Sequence, residues 1–122
     1  MPQVPTDREY DLEARTFAFA QAVRVLVRRL PRTISNAEDV RQLIRASGSV
    51  GANYIEATEG LGKKDFKMHI RIARKEAKEA QYFVRLLDTR DDPITDASRA
   101  TLVDEAQQLV RIFSAIIRNM KD

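Results

Sequence analysis

Apolar side chains recur at alternating spacings of four and three residues in three separate stretches of this chain. The first is Leu12, Thr16, Phe19, Val23, Leu26 and Leu30, and the second Phe66, Ile70, Ala73, Ala77, Ala80, Val84 and Leu87. The third is Leu102, Ala106, Leu109, Phe113, Ile116 and Met120. Such spacing lays one apolar seam along one side of a helix. A fourth, looser stripe runs Val40, Leu43, Ile44, Val50 and Tyr54, with Ser47, Gly51 and Thr58 filling its remaining turns. Nothing alternates with period two over the length of a strand. Four helices of about 20 residues with short joints predict an all-α fold, an antiparallel up-down-up-down four-helix bundle.

The punctuation agrees with the periodicity. Residues 1–6 read as a loose tail, because Pro2 and Pro5 bar regular helix. Either Thr6, in the capping-box run Thr6-Asp7-Arg8-Glu9, or Asp11 can cap the first helix. Leu30-Pro31 ends it, since a residue before proline is pushed out of the α region. Ser35-Asn36-Ala37-Glu38 has the form of a second capping box, Gly60 and Gly62 supply a stop, and Arg90-Asp91-Asp92-Pro93 reads as a turn. Thr95 or Asp96 then caps the last helix. The two stretches that organise the rest are Asn36 to Thr58 and Lys64 to Leu87.

The first of those two has an unusual middle, Ala46-Ser47-Gly48-Ser49-Val50-Gly51-Ala52. Each glycine inside a helix costs roughly 1 kcal/mol relative to alanine, so a neighbouring backbone is expected to come close there. The small seam of the next helix makes Ala73 or Ala77 the expected partner. Val103, Val110 and Ile117 widen the last seam by a column, and Phe17 falls off the first. That is more apolar surface than one bundle core requires, which predicts association into a homo-oligomer.

At 122 residues the chain reads as one domain, 1–122, large enough for a core without staples. Cysteine is absent, so there is no disulfide framework and no thiolate chemistry. No apolar run approaches the roughly 20 residues that span a bilayer, and the N-terminal residues lack the form of a signal peptide. The expectation is a cytoplasmic protein that engages no membrane. The inventory for catalysis is thin. The sequence has one histidine, His69, no phosphate-cradling glycine loop, no metal-ligand spacing and no Glu-x-x-His pair of the kind di-iron bundles use. His69 reads as a packing or surface residue. No catalytic residue, metal, cofactor or small-molecule substrate is expected.

Two charge patterns stand out. Glu76 and Glu79 fall in a column with Ile72, Phe83 and Leu86, beside the main seam of the third helix. Carboxylates on an apolar side need partners. Asn53 and Glu56, with Arg45 or Arg41 a turn or two away, complete an expected structural polar network, whereas Glu105 reads as exposed. The second pattern is cationic. Lys64, Lys67, Arg71, Arg74 and Lys78 recur at 3,4,3,4 spacing on a face away from the seam, continued by Arg85. Arg24 and Arg28 belong to a cluster at the end of the first helix. Between residues 66 and 87 only Glu76 and Glu79 are acidic, so the cations are poorly neutralised within their own helix. A track for phosphate backbone and a solvated helix face are both consistent with this pattern. Tyr82 is the one aromatic interleaved with the stripe, which makes base stacking a minor expected contributor.

Three runs taken in order resemble a known family. They are Leu30-Pro31, the stretch from Ser49 to Ala57 (SVGANYIEA), and the stretch from Ile72 to Leu87 (IARKEAKEAQYFVRLL). Together they resemble the four-helix bundle family also called the 23S ribosomal RNA intervening-sequence protein family, over roughly residues 10–120. The resemblance implies an antiparallel bundle assembled as a ring-shaped homopentamer. It also implies kinship with the accessory proteins of diversity-generating retroelements, which associate with a reverse transcriptase and with nucleic acid. Many members carry Asn-Ile-Ala-Glu-Gly with a Gly-Ser pair in the third helix. Here Asn53 and Glu56 match, while Ala57 stands for the glycine and Lys75-Glu76 for Gly-Ser. Two functions follow as expectations. One is a non-enzymatic homo-oligomeric module that binds RNA or DNA, or a protein associated with them. The other is a purely structural or protein–protein interaction module.

Overall fold

The seams of the sequence become four helices: α1 (Leu12–Arg28), α2 (Ile34–Glu59), α3 (Lys63–Leu86) and α4 (Pro93–Asn119). The computed structural model describes residues 12–120. The caps expected at Thr6 or Asp11 lie outside those residues. Every residue of the α1 seam from Leu12 to Leu26 is buried. So are Ile70, Ala73, Ala77, Ala80 and Val84 of α3, and Leu102, Ala106, Leu109 and Phe113 of α4. Each helix packs on its neighbours in the cyclic order α1, α2, α3, α4 and back to α1, as an antiparallel bundle with short joints must. The α2–α3 contact is the most extensive and the α1–α4 contact the thinnest.

Two helix starts differ from the sequence expectation. The cap of α2 is Thr33, not Ser35, because Thr33 Oγ1 accepts a hydrogen bond from the Asn36 amide at 3.0 Å. That frees Asn36, which is buried and ties the bundle end together. Its Nδ2 donates to the carbonyls of Pro31 (3.0 Å) and Asp88 (2.9 Å), and its Oδ1 accepts from the Asp88 amide at 2.9 Å. The cap of α4 is Asp92, followed by Pro93 in the first turn, not Thr95 or Asp96. Proline suits the first turn because its missing N–H is one no helical carbonyl would accept. The Asp92 carboxylate accepts from the Thr95 hydroxyl (2.7 Å) and amide (2.9 Å), and those bonds hold its pKa below the usual carboxylate range.

The joints are built by local chemistry. Arg90 and Asp91 both have positive φ, 54° and 58°, a conformation costing about 1–2 kcal/mol per residue without glycine. The turn is held from several sides. The Arg90 amide donates to Asp88 Oδ1 at 2.9 Å, the Asp92 amide to the Thr89 carbonyl at 3.1 Å, and Arg99 reaches the Leu87 carbonyl. In the α2–α3 joint, Gly62 takes φ 141°, which side chains rarely adopt.

The column Val103, Val110 and Ile117, expected to be surplus apolar surface, is used within the bundle. Val110 is buried and the other two pack against the core. The valines and isoleucine face inward because α4 is wedged between α3 and α1. Exposed apolar side chains lie elsewhere, among them Phe17 and Val25 on α1, Ile34 and Ile55 on α2, and Met68, Tyr82 and Leu86 on α3.

Candidate functional site

α2 decides where both candidate surfaces lie. Toward α1 it presents its small residues. A Cβ on Gly51 would sit 2.8 Å from Thr16 Oγ1 and 3.2 Å from Thr16 Cβ, closer than side chains tolerate. The close approach expected at the glycines therefore exists, but its partner is Thr16 of α1 and neither Ala73 nor Ala77. Thr16 can come that near because its hydroxyl turns back to the Leu12 carbonyl at 2.7 Å. Gly48 is less crowded, its nearest foreign atom being Arg24 Nη2 at 3.8 Å. Above this seam opens a groove of about 840 Å3, floored by Gly48, Gly51 and Ala52 and walled by Phe17, Ala20 and Ile55. Phe17 is 64% exposed and Val25 53%, and Ala14, Ala18 and Ala22 are exposed around them. The outward face of α1 is thus largely apolar.

Toward α3 the same helix presents polar groups. Arg45 bridges two acids of α3, donating to Glu76 Oε1 at 3.4 Å and to Glu79 Oε1 at 2.5 Å. The bond to Glu79 and then the charge of Glu76 raise the Arg45 pKa. Glu76 is buried and Glu79 half-buried. Asn53 takes a different partner. Its Nδ2 donates to the Ser49 carbonyl at 2.9 Å, leaving Oδ1 to accept from His69 Nδ1 at 3.0 Å. His69 Nε2 faces Asp65 at 3.7 Å, so the histidine bridges two polar side chains at the α2–α3 seam. Glu56 is exposed, and among the described residues no hydrogen bond or ion pair joins it to Asn53, Glu76 or Glu79. The four residues grouped by sequence therefore split into an Arg45 cluster, an Asn53–His69 pair and a solvated carboxylate.

The cations divide too. Lys64, Arg71 and Lys78 are exposed, whereas Lys67 and Arg74 are half-buried. Arg74 lies across to α4 and donates to Ser114 Oγ at 3.3 Å. Lys75, which the 3,4 spacing skipped, is exposed. At 100° per residue it falls within the arc that holds Lys64, Met68, Arg71, Lys78, Tyr82 and Arg85. A count of wheel angles instead of intervals would have found it. Among the described residues no acid pairs with Lys64, Arg71, Lys75, Lys78 or Arg85. Along the first half of this face runs a groove of about 1020 Å3 lined by Lys64, Asp65, Met68, Arg71, Ile72 and Lys75 among others. Arg24 and Arg28 are not part of it. Arg24 is held in the α1–α2 groove, donating to the Ala20 carbonyl (2.8 Å) and Ser47 Oγ (3.4 Å), and Arg28 is exposed at the end of α1.

One ion pair had no signal in the sequence. Arg15 grips Glu105 with two parallel bonds, Nε to Oε2 at 2.6 Å and Nη2 to Oε1 at 2.8 Å, and adds Gln108 Oε1 at 2.9 Å. The hydrogen bond to Glu105 raises the Arg15 pKa. Glu105, expected to be exposed, is half-buried because α1 lies against α4 at that level. Among the described residues no three histidines, cysteines or carboxylates converge as metal ligands. No helix of the described residues is long and apolar enough to cross a membrane.

A four-helix bundle with a mostly cationic face on one helix and a largely apolar groove on the opposite side of α2 defines the class. Over residues 8–115 the chain matches the family model described as 23S rRNA-intervening sequence protein, and it belongs to that family. It is similar to a solved structure from Bacteroides thetaiotaomicron described as a protein with unknown function from the S23 ribosomal protein family. The two share 25% identity with a TM-score of 0.73, over 88% of this chain and 98% of that one. No curated protein matches the chain.

Proposed function

We propose that this protein is a non-enzymatic homo-oligomeric module that binds nucleic acid, or a protein associated with it, through the outward face of α3. The observation that carries the reading is where two of the three acids of α3 go. Glu76 and Glu79 both turn to Arg45, so the outward cations keep their field. Lys64 to Arg85 spans roughly 30 Å at about 1.5 Å per residue. Five unpaired cations over that length suit a phosphate backbone, whose binding is governed by counterion release. The family's name, which refers to 23S rRNA, points the same way. RNA is therefore the favoured partner, and a reverse transcriptase is a candidate protein partner through the family's kinship.

The test is a titration of single- and double-stranded RNA and DNA at two salt concentrations. Binding should be largely independent of sequence and weaken steeply with salt. Changing Lys64, Arg71 and Lys75 to glutamine should remove most of the affinity and flatten the log–log salt slope by about two to three. Absence of binding at low salt, or a triple variant that binds as well as the wild type, would overturn the reading in favour of a pure interaction module.

Self-association is the other half of the proposal. The outward face of α1, continuous with the α1–α2 groove, is an apolar surface of the kind that marks subunit contacts. The family resemblance makes the assembly a pentameric ring. Several linked cationic faces would add avidity that one face lacks. Light scattering should give a mass near five chains, and Phe17→Asp, at an exposed position, should lower it without unfolding the protein. A monomer at tens of micromolar would end this half of the proposal.

A further inference from the structure

The outward face of α3 is not purely cationic. Met68, Tyr82 and Leu86 are exposed along it at 48, 56 and 48%, interleaved with the lysines and arginines. Tyr82 sits between Lys78, four residues before it, and Arg85, three after. Its ring is braced edge-on by Phe83, with centroids 5.3 Å apart and planes at 81°. A braced ring flanked by cations loses little freedom on stacking a base while its neighbours hold the adjoining phosphates. Spacing along the chain assigns this lone aromatic a minor part. Its exposure, its brace and its apolar neighbours give it a larger one.

The setting of α3 in the bundle decides which nucleic acid can use that ring. An isolated helix enters a DNA major groove about 12 Å wide and 8.5 Å deep. α3 is flanked by α2 and α4, and packed helix axes lie only about 8–10 Å apart, so it cannot be inserted to that depth. The major groove of an RNA duplex is narrower still. A duplex laid on this face touches the cations through its phosphates but keeps its base faces stacked inside. Met68, Tyr82 and Leu86 would then be covered by sugar and phosphate with no compensating contact. A single strand can turn its bases onto them.

We infer that the α3 face takes single-stranded nucleic acid in preference to duplex, with Tyr82 as a stacking platform between Lys78 and Arg85. This rests on the reading of α3 as a nucleic-acid surface. The experiment is fluorescence anisotropy with a labelled 20-nucleotide unstructured RNA and with the same strand annealed to its complement, on the full chain in its native assembly. The single strand should bind more tightly. Tyr82→Ala should weaken it between about five-fold and a hundred-fold, while leaving duplex affinity and the salt slope unchanged. Tyr82→Phe should retain binding, since the ring and not the hydroxyl stacks. Equal affinity for both forms, or a Tyr82→Ala variant that weakens them alike or not at all, overturns the single-strand inference and leaves the broader reading standing. No binding of either form at low salt overturns the broader reading itself.

Discussion

On its α1 side α2 offers Gly48, Gly51 and Ala52, and on its α3 side it offers Arg45 and Asn53. The two seams of one helix are held by opposite means. Toward α1 the contact is mainly steric: backbone meets the Thr16 side chain, Arg24 reaches across to Ser47 Oγ, and a groove is left open above the glycines. Toward α3 the contact is polar, and its by-product is electrostatic. Drawing Glu76 and Glu79 onto Arg45 takes two of the three acids of α3 away from the cations of its outer face, leaving Asp65 at the N-terminal end. The comparison teaches that one helix can prepare two surfaces of different character, an apolar one by withholding side chains and a cationic one by sequestering carboxylates.

The largest expected effect breaks the steric side. Gly51→Leu places a branched side chain where even a Cβ clashes with Thr16, and should destabilise the protein by about 2–3 kcal/mol. That corresponds to a fall in thermal midpoint on the order of 10 °C. Gly51→Ala should be milder, and adding Thr16→Ala should recover part of its loss. A midpoint unmoved by Gly51→Leu would mean that α1 does not sit where the Thr16 contact puts it.

A smaller effect compares the pin of α1 with the polar side of α2. Glu105→Ala strands Arg15, whose side chain is only 16% exposed, and removes two charge-assisted bonds. The expected cost is about 1–2 kcal/mol by chemical denaturation. Glu79→Ala removes a more exposed partner of Arg45 and should cost less. The reverse order would show that Arg45 is the stronger of the two anchors.

The smallest effect is a titration. Burial, and secondarily the charge of Glu13 on α1, raise the pKa of Tyr54 above the usual 10.0. The folded protein then keeps a proton that the unfolded chain releases. This contribution is complete below the ordinary phenol value and is lost as pH rises through the raised one. Absorbance at alkaline pH should show one tyrosine titrating late, absent in Tyr54→Phe. Glu13→Gln should move it slightly earlier. A Tyr54→Phe variant with the same late phase would assign it to another ring.

The helices follow from local spacing, because a seam spaced by three and four can be buried only by a helix. The sequence also marks the joints, since Leu30-Pro31, Gly60, Gly62 and Asp92-Pro93 act through local dihedrals. Periodicity placed Lys64, Arg71 and Lys78 on one exposed face, but it skipped Lys75 and did not foresee that Arg74 turns to Ser114 of α4. What tertiary structure alone decided is which side chain meets which. Thr16 could not be named as the neighbour of Gly51, nor Arg15 as the partner of Glu105 across 90 residues, because such pairings depend on the axial register of α1. Asn36 looked like part of a cap until the α3–α4 joint folded over it. The flanking of α3 by α2 and α4, and the edge-on contact of Phe83 with the Tyr82 ring, likewise exist only in the folded bundle. Local spacing is read along the chain; register and enclosure exist only between helices.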